Sequence, residues 1–151
     1  MILHEPTFKV VRYSNAGYRD GAFELVDPLI FLWAAKRCVV TVRTGIVTNF
    51  ASVPTGFRNV FPVNDKHRLP AVAHDYLYGC AGRIYVDQLV SVTGQFIPTK
   101  SKAAIFYTRA EADRIFYDLM LAENVRPSKA KMMYWAVRAF GASSYGGDHY
   151  E

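Results

Sequence analysis

The chain has 151 residues, of which 51% are hydrophobic and 15% aromatic, and this length suits one buried core better than two. We therefore predict a single globular domain over residues 1–151. With 21% charged residues and no low-complexity tract, the composition excludes an intrinsically disordered chain. The formal net charge of +5 favours anionic surfaces, but the basic residues are scattered and form no long run, which argues against nucleic-acid binding.

Targeting and redox signals are sparse. The opening MILHEPTFKV lacks the basic and apolar regions of a signal peptide. The longest apolar run, LIFLWAA at 29–35, is far shorter than the roughly 20 residues of a membrane helix, and it predicts a buried strand. Cys38 and Cys80 are widely separated, which favours free thiols. We expect the chain to remain, without a membrane span, in the compartment where it is made.

The first half of the sequence predicts short strands with tight turns. Residues 21–33, 37–43 and 45–50 are rich in Val, Ile and Phe and are separated by Gly, Pro and Asn. Closely spaced strands of this kind favour an antiparallel meander. Residues 55–65 are expected to form an irregular connection.

Helical signals dominate the second half. Pro70 suits the first position of a helix and Gly79 suits its stop, which predicts a helix of about ten residues. Residues 84–98 fit either a hairpin or an ordered loop. The sequence TRAE at 108–111 has the spacing of a capping box and predicts a helix that ends near Asn124.

A last helix is predicted over residues 128–140 and is stopped by Gly141. Its predicted inward stripe consists of Ala130, Met133, Val137 and Phe140. The fold class is therefore α+β, with an N-terminal antiparallel β meander packed with about three C-terminal helices.

The stretch AVAHDYLYG at 71–79 places His74 and Asp75 side by side in an apolar, aromatic helix. At about 100° per residue, Ala71, His74, Asp75 and Tyr78 share one face. Because the helix is apolar nearly all round, we expect it to be buried. A buried His–Asp pair carries a penalty of several kcal/mol unless hydrogen bonds or a metal ion satisfy both groups.

The following helix offers a partner in Asp113. This carboxylate falls inside the apolar stripe formed by Ala112, Phe116, Leu119 and Met120, whereas Glu111, Arg114 and Asp118 fall on the opposite face. We therefore predict that Asp113 and His74 lie within hydrogen-bonding reach, directly or through one water. Such a carboxylate fixes the imidazole tautomer and leaves the other ring nitrogen as a base or ligand.

Two interpretations of this cluster remain open. A buried His–Asp hydrogen bond, supported by the Tyr78 hydroxyl, can hold two helices together without any chemistry. Alternatively, two carboxylates, an imidazole and a phenol in one place can form a catalytic or metal site. The absence of HExxH, GxSxG and a phosphate-binding glycine loop excludes the commonest zincin, α/β-hydrolase and P-loop enzymes. The remaining histidines, His4, His67 and His149, are expected to be isolated and exposed.

Three motifs occur in order: TNFASVPTGF at 48–57, AVAHDYLYG at 71–79 and EADRIFYDLM at 111–120. Together they resemble domain of unknown function 1353, a family of bacteriophages and prophages. That family typically carries an aspartate where this chain has Asn49, whose amide oxygen can still ligate calcium. The resemblance implies a virion structural or assembly component in the virion or host cytoplasm, with other virion proteins as partners.

A looser resemblance links HDYLY and the later ADRIFYDLM helix to secreted phospholipases A2. It implies a hydrolase acting on host envelope lipid, in which His74 activates water, Asp113 and Tyr78 orient His74, and Asp75 with Asn49 holds Ca²⁺. The chain departs from those enzymes in lacking their disulfide framework and a recognisable glycine-rich calcium loop before the helix. If the 48–57 loop covers the His–Asp helix, a structural role is favoured, and if it walls a cleft, chemistry is favoured.

Overall fold

The computed structural model describes residues 1–11, 22–48 and 66–146. Its strands are β1 (Ile2–His4), β2 (Phe8–Val11), β3 (Ala22–Leu25), β4 (Leu29–Trp33), β5 (Cys38–Val42), β6 (Val47–Thr48), β7 (Arg83–Val90) and β8 (Phe96–Phe106). Its α-helices are α1 (Arg68–Cys80), α2 (Arg109–Ala122) and α3 (Pro127–Phe140). The α+β class is thus confirmed, while the single-domain extent of 1–151 stays a prediction.

The strands form two antiparallel sheets. The larger sheet has the order β1-β4-β5-β7-β8 and the smaller one has the order β2-β3-β6. The segment 84–98, for which the sequence left two alternatives, belongs to the β7–β8 hairpin, so the second half of the chain contributes two strands to the larger sheet. Among the described residues, no helix is long and apolar enough to cross a membrane.

The apolar run at 29–35 forms a buried strand, as predicted. Along β4, buried and half-buried residues alternate, and Leu29, Phe31 and Trp33 face the core. After Trp33 the run turns into a short 3-10 helix at Ala34–Lys36. Beside β4, the residues of β5 are mostly β-branched, which suits a pleated and largely buried strand.

The predicted limits of α1 are wrong at both ends. The helix begins at Arg68, two residues before Pro70, and it continues through Gly79 to Cys80. Ala81, with φ of 50°, takes the left-handed position that terminates the helix. Gly79 is buried inside the helix instead.

The capping box of α2 is confirmed. The Thr108 hydroxyl accepts from the Glu111 backbone N–H, and the Glu111 carboxylate accepts from the Thr108 N–H. The helix ends at Ala122, two residues before the predicted Asn124, which has φ of 59°.

The stripe predicted for α3 is only partly correct. Ala130, Met133 and Val137 are buried against Phe116 and Met120 of α2, but Phe140 is 63% exposed. Phe140 lies in the last turn, where the chain departs into a 3-10 helix at Gly141–Ser144. Gly141 keeps a φ of −79°, so it does not end the helix as a left-handed stop.

Candidate active site

The side chains of His74 and Asp113 meet between α1 and α2. His74 Nε2 lies 2.8 Å from Asp113 Oδ1, and the two side chains are 2% and 0% exposed. The contact is direct, as the helical periodicity predicted. Phe116, one turn after Asp113 in α2, packs against the imidazole with 4.7 Å between ring centroids.

Tyr78 completes the α1 side of this cluster, because it lies one turn after His74. Its hydroxyl donates to Asp113 Oδ1 at 2.6 Å, and its ring lies 4.1 Å from that of His74. Gly141 leaves room for this phenol, since a Cβ there would lie 2.7 Å from the Tyr78 hydroxyl oxygen. The close approach of Tyr78 therefore explains why a glycine stands at position 141 better than the predicted role of Gly141 as a helix stop does.

Two arginines act on the other carboxylate oxygen. Arg138, in the last turn of α3, donates from Nη1 to Asp113 Oδ2 at 2.8 Å. Arg109, in the first turn of α2, has its Nη1 3.7 Å from the same oxygen and also donates to the backbone carbonyls of Val137 and Arg138. The buried carboxylate is therefore bound by side chains from all three helices.

The ionisation of Asp113 follows from these contacts. Burial by itself raises the pKa of the carboxyl, but the hydrogen bonds from His74, Tyr78 and Arg138 outweigh burial and hold the pKa below its ordinary value. Burial and the bond to Asp113 raise the pKa of the Tyr78 phenol. The cluster thus contains an ionised acceptor and a neutral phenol donor.

One nitrogen of His74 has no partner among the described residues. Asp113 is ionised and can only accept, so His74 Nε2 is the donor, and in the neutral form of the ring Nδ1 carries the lone pair. Nδ1 is buried and makes no hydrogen bond with any described residue. A buried polar atom without a partner is uncommon and costs about 1–3 kcal/mol, so this one marks a candidate reaction or ligand site.

Asp75 faces a different neighbour from His74. Its Oδ2 accepts a hydrogen bond of 2.9 Å from the Thr48 hydroxyl at the end of β6, and the residue is half-buried. The structure therefore brings together His74, Asp113 and Tyr78, whereas the described contact of Asp75 turns it toward the smaller sheet. Asn49 and the rest of the 49–65 segment lie outside the described residues.

The described residues do not make a metal site by themselves. Within residues 1–11, 22–48 and 66–146, no group of three or more His, Cys, Asp or Glu side chains is placed to hold an ion. Calcium takes six to eight oxygen ligands, and Asp75 supplies at most two. The calcium role of Asp75 with Asn49 stays a prediction.

Sequence reasoning missed the two arginines. Arg109 could have been found, because it precedes Asp113 by four residues and such pairs meet on one face of a helix. Arg138 carries no comparable local signal, since its contact depends on how α3 packs against α2.

The prediction for the remaining histidines is partly wrong. His67, the residue directly before α1, is only 1% exposed. His4 is exposed as expected, with Nδ1 donating to the Pro28 carbonyl at 2.8 Å. His149 lies outside the described residues. Cys38 and Cys80 form no disulfide, as predicted.

These observations define an α+β protein whose three helices converge on a buried His–Asp pair. The chain belongs to the family described as protein of unknown function (DUF1353), whose model matches residues 23–137. This match confirms the family resemblance found in the three sequence motifs. A search of curated proteins found no match, and a search of solved structures found none either.

Proposed function

We propose that this protein is a hydrolase in which His74 is the general base. The observation that supports the proposal is the asymmetry of the imidazole. Its Nε2 is held by an ionised carboxylate, whereas its Nδ1 carries a lone pair with no partner among the described residues. A satisfied structural histidine would use both nitrogens, and a base needs one of them open.

The roles of the residues follow from their contacts. His74 Nδ1 removes a proton from an attacking water and afterwards returns it to the leaving oxygen of the substrate. Asp113 stays ionised, fixes the Nε2–H tautomer and stabilises the transient imidazolium. Tyr78 and Arg138 hold the carboxylate in place, so they are positioning residues.

Burial sets a condition on this reaction. His74 is 2% exposed, so bulk water does not reach Nδ1 freely. For the reaction to occur, a bound substrate must displace the neighbouring groups that bury His74 Nδ1 and bring its scissile bond to this nitrogen.

The likeness to phospholipases A2 suggests an ester of an envelope phospholipid as the substrate. In this chain, His74 and Tyr78 are separated by one helical turn and both contact the Asp113 carboxylate, which is the arrangement that the likeness implies.

A direct test measures fatty-acid release from phosphatidylglycerol vesicles, with Ca²⁺ and with a chelator. We expect His74→Gln to abolish release while it retains a cooperative unfolding transition. Asp118→Asn is the control, because Asp118 is an exposed carboxylate on the solvent face of α2, and it should keep full activity. Equal activity of His74→Gln and wild type would contradict the proposal.

A second candidate function is a structural component of a phage particle. Exposed apolar side chains favour this structural role, because large apolar and aromatic side chains anchor the interfaces between proteins. Three of them, Met132, Trp135 and Phe140, lie on α3 and are 46%, 59% and 63% exposed.

Purified particles distinguish the two candidates. A structural component should be present at a fixed copy number per particle, and a folded His74→Gln variant should still yield infectious particles. A hydrolase needed for entry or lysis predicts loss of infectivity with the same variant. Trp135→Ser should reduce incorporation only if α3 is the interface.

A further inference from the structure

A cleft opens in the larger sheet on the far side of α1 from His74. Strands β5 and β7 pair only at Cys38 with Leu89 and at Val39 with Gln88. Beyond these pairs the strands diverge, and a cavity of about 700 Å³ lies between the end of β5, the beginning of β7 and the last turn of α1. This volume is in the range of sites that hold small molecules.

The cleft is basic. Among the described residues that line it, the cations Arg43, Arg83 and Lys102 outnumber the one carboxylate, Asp87. Arg43 directly follows β5, Arg83 begins β7 and Lys102 lies in β8, and all three side chains are exposed. Arg43 also lies close enough to Tyr76 to oppose the rise in the pKa of that phenol, which burial causes. Cations that converge on one cavity favour an anion with several acceptor oxygens.

Aromatic rings stand beside these cations. Arg83 pairs across the hairpin with Phe106, and its guanidinium lies 5.5 Å from the centroid of Tyr85. Tyr85 and Phe106 line the cleft and are 52% and 66% exposed. Because they project on the same outer face of the hairpin as Arg83, they offer apolar walls next to the cationic groups.

We propose that this cleft binds an aromatic phosphate monoester, with the phosphate on Arg43, Arg83 and Lys102 and the ring against Tyr85 and Phe106. A phosphate carries close to two negative charges and three acceptor oxygens, which matches three cations better than a carboxylate does. The site is independent of the proposed hydrolase, because it uses none of His74, Asp113 and Tyr78.

Phenyl phosphate is the probe, with inorganic phosphate and phenol as its two halves. Isothermal titration calorimetry should show binding of phenyl phosphate by the full chain, and Lys102→Gln should weaken it by about tenfold, as expected for loss of one charge-assisted hydrogen bond. Lys100→Gln is the matched control, since Lys100 is an exposed lysine on the same strand outside the cleft lining, and it should leave affinity unchanged.

A second readout uses Cys80, which is half-buried in the cleft, whereas Cys38 is buried in the core. Phenyl phosphate should slow alkylation of Cys80 by iodoacetamide, and His74→Gln should not alter this protection. The proposal is overturned if no binding occurs at about 10 mM phenyl phosphate. It is also overturned if Lys100→Gln weakens binding as much as Lys102→Gln does, or if inorganic phosphate binds as tightly as phenyl phosphate.

Discussion

The guanidinium of Arg138 donates a hydrogen bond of 2.8 Å to Asp113 Oδ2, which joins the last turn of α3 to the middle of α2. The carboxylate is 0% exposed, whereas the arginine side chain keeps 29% of its exposure. Loss of this bond would therefore cost more at Asp113 than at Arg138, because an unpaired carboxylate in the core has neither a partner nor water of hydration. Since the other oxygen of Asp113 accepts from His74, Arg138 also stabilises the group that orients the imidazole.

Replacing Arg138 by Gln should lower the free energy of unfolding by about 1.5–3 kcal/mol, the usual contribution of a hydrogen bond to a charged group. Urea denaturation followed by circular dichroism measures this change. Arg114→Gln is the control, because Arg114 makes an exposed i,i+4 pair with Asp118, and it should change stability by less than about 0.5 kcal/mol. A loss no greater in Arg138→Gln than in the control would show that the bond contributes little.

Removing the carboxylate itself should have a larger effect. Asp113→Ala leaves Arg138 and the Tyr78 hydroxyl without their acceptor, so we expect a loss of about 3–5 kcal/mol. Asp118→Ala, on the solvent face of the same helix, should stay within about 0.5 kcal/mol of wild type. Equal losses at the two positions in urea denaturation would contradict the helical phase that places Asp113 inward.

The pH dependence of stability follows from the lowered pKa of Asp113. The unfolded chain takes up this proton at the ordinary value of 3.8, whereas the folded carboxyl, held by His74, Tyr78 and Arg138, takes it up at lower pH. The stabilisation from Asp113 is therefore present above about pH 3.8 and is lost as the pH falls toward the folded-state pKa.

Urea unfolding of wild type and Asp113→Asn at a series of acidic pH values tests this dependence. The variant should be less stable above about pH 4, and its stability should fall less steeply below that pH, so that the two profiles converge. Parallel pH profiles for the two proteins would show that Asp113 is not a source of the acid sensitivity.

Local patterns in the sequence were enough to predict part of this site. Helical periodicity placed Asp113 and His74 on inward faces, and the capping box at Thr108 fixed the start of α2 and therefore the phase of Asp113. Both signals depend on residues within a few positions of each other. Local signals of this kind therefore do not depend on which element the helix packs against.

The parts that could not be predicted depend on distant packing. Asp75 shares a helix face with His74 by simple angle, yet it turns to Thr48 because β6 lies on that side. Gly141 looks like a helix stop, but the neighbouring element that requires a glycine there is Tyr78 of α1. Ala81 ends α1 in the left-handed conformation, although glycine is the residue that usually occupies this position at the end of a helix.

The tautomer of His74 is the feature on which the proposed chemistry depends most directly. In alkaline buffer, where imidazoles are neutral, a long-range ¹H–¹⁵N correlation spectrum should show His74 protonated at Nε2 and unprotonated at Nδ1, because Asp113 accepts from Nε2. His4 provides an internal control of the opposite kind, since its Nδ1 donates to the Pro28 carbonyl and it should appear as the Nδ1–H form. If His74 instead carried its proton on Nδ1, Nε2 would have to accept from a protonated Asp113, and no lone pair would remain for a base. Finding His74 in the Nδ1–H form would therefore contradict its general-base role while leaving the helix contact intact.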